Sequence, residues 1–325
     1  MEGGCRAAAA PPLRRRRLGL TPGTEDRPRA PQLGAERARR VGRHLLAWGA
    51  EHRRDLPWRR TRDPWRILVS EVMLQQTQVS RVVPAYGRFL EAFPTPAACA
   101  RAGPAAVVRQ WSGLGYNRRA LNLHRAAGAI VAAHGGEVPR DDAALRALAG
   151  VGAYTARALR SFAFGEDVAA VDTNAVRVLA RGVSGAPLTV ARAVQLGDRL
   201  VPTGRSWEFN QAMFDLGATV CTAARPACAQ CPLRRQCAWR RAGADADAGD
   251  PWRSSPTARP QSPFAGSDRQ GRGRLLGALR RGEVARAGLG AACGWPEDPA
   301  RARRVAAALV DEGFARWSGP ALRLV

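Results

Sequence analysis

Four cysteines, Cys221, Cys228, Cys231 and Cys237, fall in the run CTAARPACAQCPLRRQC with the spacing C-x6-C-x2-C-x5-C and no histidine beside them. Thiolates gathered this closely hold soft metals. Zinc sites usually pair their ligands as two C-x2-C knuckles or mix in histidine, whereas four cysteines in one uneven run suit a 4Fe-4S cluster. A single zinc ion and unligated thiols are the alternatives. Arg225, Arg234 and Arg235 lie inside the same run, so the loop offers cations to phosphate. Two carboxylates are candidates for proton chemistry. Glu71 lies in PWRILVSEVML at the edge of the apolar stripe Trp65, Leu68, Val69 and Val72, with Ile67 and Leu74 on its other side. A carboxyl in that frame has a raised pKa, as a general acid near neutrality requires. A helix glutamate paired with an arginine would read the same way. Asp172, in VDTNAVRVLARG, precedes Asn174 at a helix start, where an N-cap is its plain role.

The elements that must position these groups read as helices from about Arg37 to Ala242, with turns at Pro or Gly-Gly and almost no strand alternation. Extending the helix at Pro64 through Gln76 would bury an amide in the apolar stripe. A break there lets Thr77 cap a second helix, TQVSRVVPAYGRFL, whose proline marks an irregular turn, and puts Gln75 and Gln76 on an exposed corner. In LAGVGAYTA, Gly150 and Gly152 separate a helix ending at Ala149 from one starting near Tyr154. Such a hairpin brings backbone amides and a helix start close to a phosphate.

The charge balance agrees with a nucleic-acid partner. The chain carries 51 basic residues, all of them arginine, for a formal charge of +24. Abundant Ala, Arg, Gly and Pro also suggest GC-rich coding, which raises arginine on any solvated surface. At 325 residues there is room for two or three domains, and no apolar run approaches membrane-spanning length. Residues 1–34 read as a disordered basic tail, since no apolar stretch follows Arg14 to Arg17. Cys5, Cys99 and Cys293 are scattered and odd in number, which points to reducing cytosol. Residues 243–263, rich in Ala, Asp, Ser and Pro, form a linker. Residues 264–325 read as winged-helix-like: helical LLGAL, a second helical stretch VARAGLGAACG, a basic helix RARRVAAALVDEG and a terminal hairpin FARWSGPALRLV.

Taken together, SEVMLQQTQ, WSGLGYNRRALNLH, LAGVGAYTA, VDTNAVRVLAR, FNQAMFDLGATVCT and the cysteine quartet resemble, in order and spacing, the adenine DNA glycosylases of the MutY type, within the helix–hairpin–helix DNA glycosylase superfamily. The resemblance spans about residues 37–240. It implies a mainly α, two-lobed core over residues 35–242, with a six-helix hairpin lobe at about 60–165. The second lobe, from 35–59 and 166–242, holds a 4Fe-4S cluster in the loop 221–237. By the same resemblance, Glu71 protonates the departing adenine and Asp172 stabilises the sugar cation, oriented by Tyr154 and Asn174. Gln76 and Tyr116 fill the stack when the base leaves. Arg54, Leu56, Trp58, Arg59, Val79 and Gln211 form the adenine pocket, and Gln75, Thr77, Gly150 and Gly152 contact DNA. The implied partner is double-stranded DNA with adenine mispairs, met by a cytoplasmic, nucleoid-associated monomer with no membrane association.

Three departures stand out. Ala149 replaces a common proline, and Asn117 follows Tyr116 where a second tyrosine is frequent. The C-terminal residues are too few and too helical for the Nudix-like β domain of many family members. Among rivals, an endonuclease III-like lyase resembles Schiff-base chemistry by a hairpin lysine, but that position is Tyr154 and the chain has no lysine. A thymine or uracil mismatch glycosylase and an iron–sulfur redox regulator that binds DNA are the remaining alternatives.

Overall fold

A computed structural model describes residues 33–243, 249–252 and 263–325. The expected tail up to residue 32 and most of the expected linker lie outside the described residues. Through residue 252 the described chain is helical, and its regular strands all fall after residue 283. Among the described residues no helix is long and apolar enough to cross a membrane.

Two hydrophobic cores form because the chain crosses from one lobe to the other and back. The first gathers the helices between Pro64 and Phe162 around Leu68, Phe89, Trp111, Ile130, Leu145 and Leu159. Short helices there start on side-chain caps: Asp63 accepts from the Arg66 N–H, Thr95 from Ala98 and Asp141 from Ala144. Each cap satisfies an amide that the helix itself leaves without a partner. The second core joins the N-terminal helix Ala35–His52 to the segments after Ala169, around Val41, Leu45, Leu179, Phe209 and Leu216. Gly49 sets the approach of Ala35–His52 to the helix Ser206–Asp215, since a Cβ there would lie 2.5 Å from the Cβ of Ala212.

The helices Thr173–Val178 and Ser206–Asp215 each run on into a π-helical turn, Leu179–Ser184 and Leu216–Val220. Such turns widen the helix and re-aim the chain beyond it. Here the second one delivers Cys221.

The C-terminal unit has a helix Asp268–Arg281, short strand β1 (Val284–Ala285), helices Leu289–Cys293 and Pro299–Asp311, and strands β2 (Ala315–Ser318) and β3 (Ala321–Leu324). Its antiparallel sheet has the order β1-β3-β2. Leu275, Leu279, Leu309, Phe314 and Leu322 belong to the same continuous core as the first lobe.

Three local expectations are corrected. Thr77 is not a helix cap: the helix Val79–Ala92 starts on Gln78 without a side-chain cap, because the Thr77 hydroxyl accepts from Arg119 Nη2 at 2.9 Å. Pro84 does not end that helix: the buried face of Val82, Ala85, Tyr86 and Phe89 holds the chain helical on both sides of it, against the lost N–H and the crowding of the preceding turn. Val284 and Ala285 are strand rather than helix, captured by Leu322 and Ala321 of β3.

Gly49→Ala tests the crossing of the two second-lobe helices. Overpacking at this contact is expected to cost about 1–3 kcal/mol. Thermal unfolding of the variant at neutral pH measures it, and an unchanged melting temperature would mean that the helices separate freely.

Candidate active site between the lobes

Glu71 stands in the last turn of Pro64–Leu74 and is only 5% exposed. Its one direct side-chain partner is the hydroxyl of Tyr154, from the first turn of the hairpin helix Ala153–Phe162. Burial pushes the Glu71 carboxyl up to about 7. The Tyr154 bond opposes that rise, the Asp172 charge adds to it, and the more distant Arg59 charge weakly opposes it. Burial, with the two carboxylates nearby, also drives the Tyr154 hydroxyl well above its ordinary value, so it stays a donor.

Asp172 approaches from the other lobe in a richer setting. Its Oδ1 accepts the Ala175 N–H at 2.7 Å, which caps the helix Thr173–Val178, and its Oδ2 accepts from Asn174 Nδ2 at 3.1 Å. Burial raises its pKa, and these donors and the Arg177 charge offset only part of the rise. The N-cap bond thus occupies one oxygen, and the other is held by Asn174.

Behind Asp172 the bonds continue. Asn174 Oδ1 accepts from Arg177 Nη2 at 2.7 Å, and Arg177 Nε donates to the Cys221 carbonyl at 2.6 Å. Gly217 permits this closeness, because a Cβ there would lie 2.7 Å from the Asn174 Cβ. The thiols of Cys221, Cys228, Cys231 and Cys237 line one cavity, with Val178, Leu216, Val220 and Leu233 as apolar wall. Arg181 Nη1 lies 3.7 Å from Cys221 Sγ. These four cysteines are the residues placed to hold a metal group.

Two loops meet where the lobes open. Gln76 and Tyr116 are the only described residues other than glycine with positive φ, at 53° and 43°. That conformation is costly for side chains of this size unless the surroundings impose it. Arg119 imposes it. Buried at 8% exposure, it donates to the carbonyls of Val72, Met73 and Gln75 at 2.9, 2.7 and 2.6 Å, and to those of Leu114, Gly115 and Tyr116 at 3.3, 3.1 and 3.3 Å. Tyr116 is left 46% exposed at the rim.

The cleft holds about 740 Å³, room for a nucleoside. The structure brings into its wall Arg54, Leu56, Trp58, Arg59, Glu71, Gln75, Gln76, Thr77, Val79, Tyr154, Asp172, Asn174 and Gln211. Tyr116 lies in the adjoining groove. Gly150 and Gly152 stand outside the cleft wall, where the positive φ of Gly150 and the nearby Asn122 side chain exclude a Cβ. Arg54 and Arg59 turn their guanidinium groups to the fully buried Asp215, at 2.6 and 2.7 Å. Sequence reasoning missed Asp215, Arg119 and Arg177, as well as the wall residues Phe214 and Val190. Asp215 lies in the quoted FNQAMFDLG, where a carboxylate on an apolar helix face was a usable signal.

A cleft between two helical lobes with a glycine hairpin and a cysteine-ringed cavity defines a class, the helix–hairpin–helix base-excision enzymes. Residues 69–187 match the HhH-GPD superfamily base excision DNA repair protein. The chain is 45% identical over 276 residues to the adenine DNA glycosylase of Mycolicibacterium smegmatis, covering 83% of this chain and 90% of that one. It is 42% identical over 207 residues to the human adenine DNA glycosylase, covering 59% and 38%. The chain belongs to the adenine DNA glycosylase family. Among solved structures it resembles a thermostable thymine-DNA glycosylase, with 30% identity and a TM-score of 0.59 over 64% of this chain and 98% of that one. A trapped endonuclease III–DNA intermediate shares the fold at 24% identity, with a TM-score of 0.58 over 66% and 100%.

Glu71 makes stability depend on pH in a stated direction. With its pKa moved from 4.5 to about 7, the folded protein holds a proton that the unfolded chain releases. The stabilisation is whole below pH 4.5 and is lost as pH rises through 7, roughly 3 kcal/mol in all. Glu71→Gln removes that loss, so urea unfolding is expected to show the variant gaining on the parent between pH 5 and pH 8. A gap independent of pH would mean that the carboxyl is ionised throughout.

Proposed function

We propose that this chain is a monofunctional glycosylase that hydrolyses the N-glycosidic bond of adenine mispaired with 8-oxoguanine or guanine in double-stranded DNA. One observation carries the reading: a buried, protonatable Glu71 faces a donor-rich Asp172 across a nucleoside-sized cleft. Neither carboxyl can reach a base stacked in a duplex, so the nucleotide must be extruded. The constrained corner of Gln76 and Tyr116 supplies side chains to occupy the stack it leaves.

The chemistry divides between the two acids. Glu71 gives its proton to adenine N7, the C1′–N9 bond breaks with its electron pair going to the base, and a sugar cation forms. Asp172, ionised, stabilises that cation from a site screened from bulk water. A water then adds at C1′ and returns a proton to Glu71, which restores the acid. Tyr154 holds the Glu71 carboxyl in place and Asn174 holds that of Asp172. Leu56 and Trp58, both buried, with Val79 and Gln211 form the walls against which the adenine ring rests. Arg54 and Arg59 keep this wall rigid through Asp215 rather than meeting the base as loose cations.

The four cysteines fit a 4Fe-4S cluster, because they fall in one uneven run with no histidine among them and line one cavity. Bound there, the cluster would fix the fold of a loop whose Arg225, Arg234 and Arg235 are exposed toward phosphate. No acid or base in that loop faces the cleft wall, so docking rather than bond cleavage is its role. Purified protein is expected to contain about four irons per chain with equivalent sulfide. Cys228→Ser should lower iron content and DNA affinity, and one zinc without sulfide would overturn this assignment.

Single-turnover assays on duplexes pairing adenine with 8-oxoguanine, guanine or cytosine, and thymine with guanine, test the substrate. Adenine release opposite the first two is expected, with the strand intact until alkali and no borohydride-trapped adduct, since the chain has no lysine. Thymine release instead would favour the chemistry named for the 30%-identical structural neighbour. Glu71→Gln should bind the adenine mispair and excise almost nothing. The parent's rate should fall as pH rises through about 7. Asp172→Asn should lose several kcal/mol of transition-state stabilisation, on the order of a thousandfold in rate.

A further inference from the structure

A second cavity, of about 480 Å³, opens where the first lobe meets the C-terminal unit. Gln75 and Gln76 line both this groove and the catalytic cleft, so they are the wall between the two. The charged groups of the groove are Arg118, Arg119 and Arg272 against the single carboxylate Glu312. Arg272 donates both Nη atoms to Glu312, each at 2.8 Å, and Arg118 Nη2 reaches the same carboxylate at 2.7 Å. Burial of Glu312 would raise its pKa, and the two arginines hold it below its ordinary value. Arg119 is committed to backbone carbonyls. Two positive charges thus remain in excess beside the exposed Tyr116 ring.

The placement is rigid. The C-terminal unit shares the core of the first lobe, and Arg280 fastens it with bonds to the Val108 carbonyl at 3.0 Å and to Asn117 Oδ1 at 2.6 Å. Arg118, 65% exposed at its side chain, has N–H groups beyond those it gives to Glu312, while Arg272, 25% exposed, spends one bond from each Nη on the same carboxylate and carries five N–H donors in all. Guanidinium forks held in this way match a phosphate.

We propose that this groove seats a backbone phosphate of the strand that stays stacked when adenine leaves, with Arg118 and Arg272 as its ligands. The proposal rests on the reading of the main cleft as the site that takes the extruded adenine. The lesion strand then enters on the cleft side of the Gln75–Gln76 wall, and the strand left behind faces the groove. The C-terminal unit is on this account a clamp on the complementary strand.

Neutralising single phosphates tests it. The Glu71→Gln protein, which keeps the substrate intact, is titrated with adenine:8-oxoguanine duplexes carrying one methylphosphonate at successive positions on either strand. One complementary-strand position is expected to weaken binding about tenfold. In Arg118→Gln or Arg272→Ala versions of that protein, the same methylphosphonate should cost less than about twofold, and the salt dependence of log affinity should flatten by about 0.9. Arg118→Gln alters a mostly exposed side chain, so it remains informative if Arg272→Ala unfolds. Equal methylphosphonate losses with and without the arginines, or coupling confined to the adenine strand, would overturn the clamp. If the parent with Glu71 intact excises no adenine from any duplex, the functional reading fails instead.

Discussion

Keeping one carboxyl proton at neutral pH requires that Glu71 be withdrawn from water without being handed a cation, and much of the fold serves that condition. A guanidinium in contact would pull the carboxyl back to the ordinary range and leave it ionised. The arginines of the cleft wall, Arg54 and Arg59, are instead turned to Asp215, which is fully buried between them. Glu71 is left with a neutral phenol, whose hydrogen bond orients the carboxyl and offsets only part of the rise that burial causes. Asp172, one lobe away, receives an amide N–H, a carboxamide and the field of Arg177. Burial raises both carboxyls, and Asp172 has the more numerous donors opposing that rise.

Arginine is the structural cation throughout, and the buried examples follow one rule. Arg119, Arg177 and Arg181 each satisfy a fan of donors with backbone carbonyls that helix ends and loops leave open. Five donors in a rigid plane can bridge several chain segments, which an ammonium cannot do with the same geometry. Arg119 ties two strained loops, Arg177 ties the Asp172 helix to the cysteine loop, and Arg181 ties that loop to Asp250. Rings complete the sites: Trp111 and Tyr116 flank Arg119, and Trp239 lies by Arg181. A fixed frame of this kind positions reacting groups before substrate arrives, which is where electrostatic catalysis gains most.

The described part of the chain is therefore organised as two cores with chemistry at their seam, and a C-terminal unit that extends the first core instead of standing apart. Gln75 and Gln76 stand between the seam and the groove beside that unit.

By itself the sequence determined the helical class and pointed to the cysteine quartet and the two carboxylates that the structure places around one cavity and along one cleft, because each leaves a local trace: a 3.6-residue period, a spacing of like ligands, or an acid inside an apolar frame. It placed a break at Gln76, where the helix in fact ends two residues earlier at Leu74, and it assigned Thr77 to a cap, since the competing donor, Arg119, lies 42 residues away. Pro84 and Val284 were misread for a related reason: an apolar helix face and a strand partner outweighed local preference. Only the tertiary structure decided that Arg54 and Arg59 meet at Asp215, some 160 residues distant, and that Arg177 joins Asp172 to Cys221. Hydrogen bonds between remote segments impose no periodicity and no spacing on the chain. They exist only once packing has brought their partners within reach.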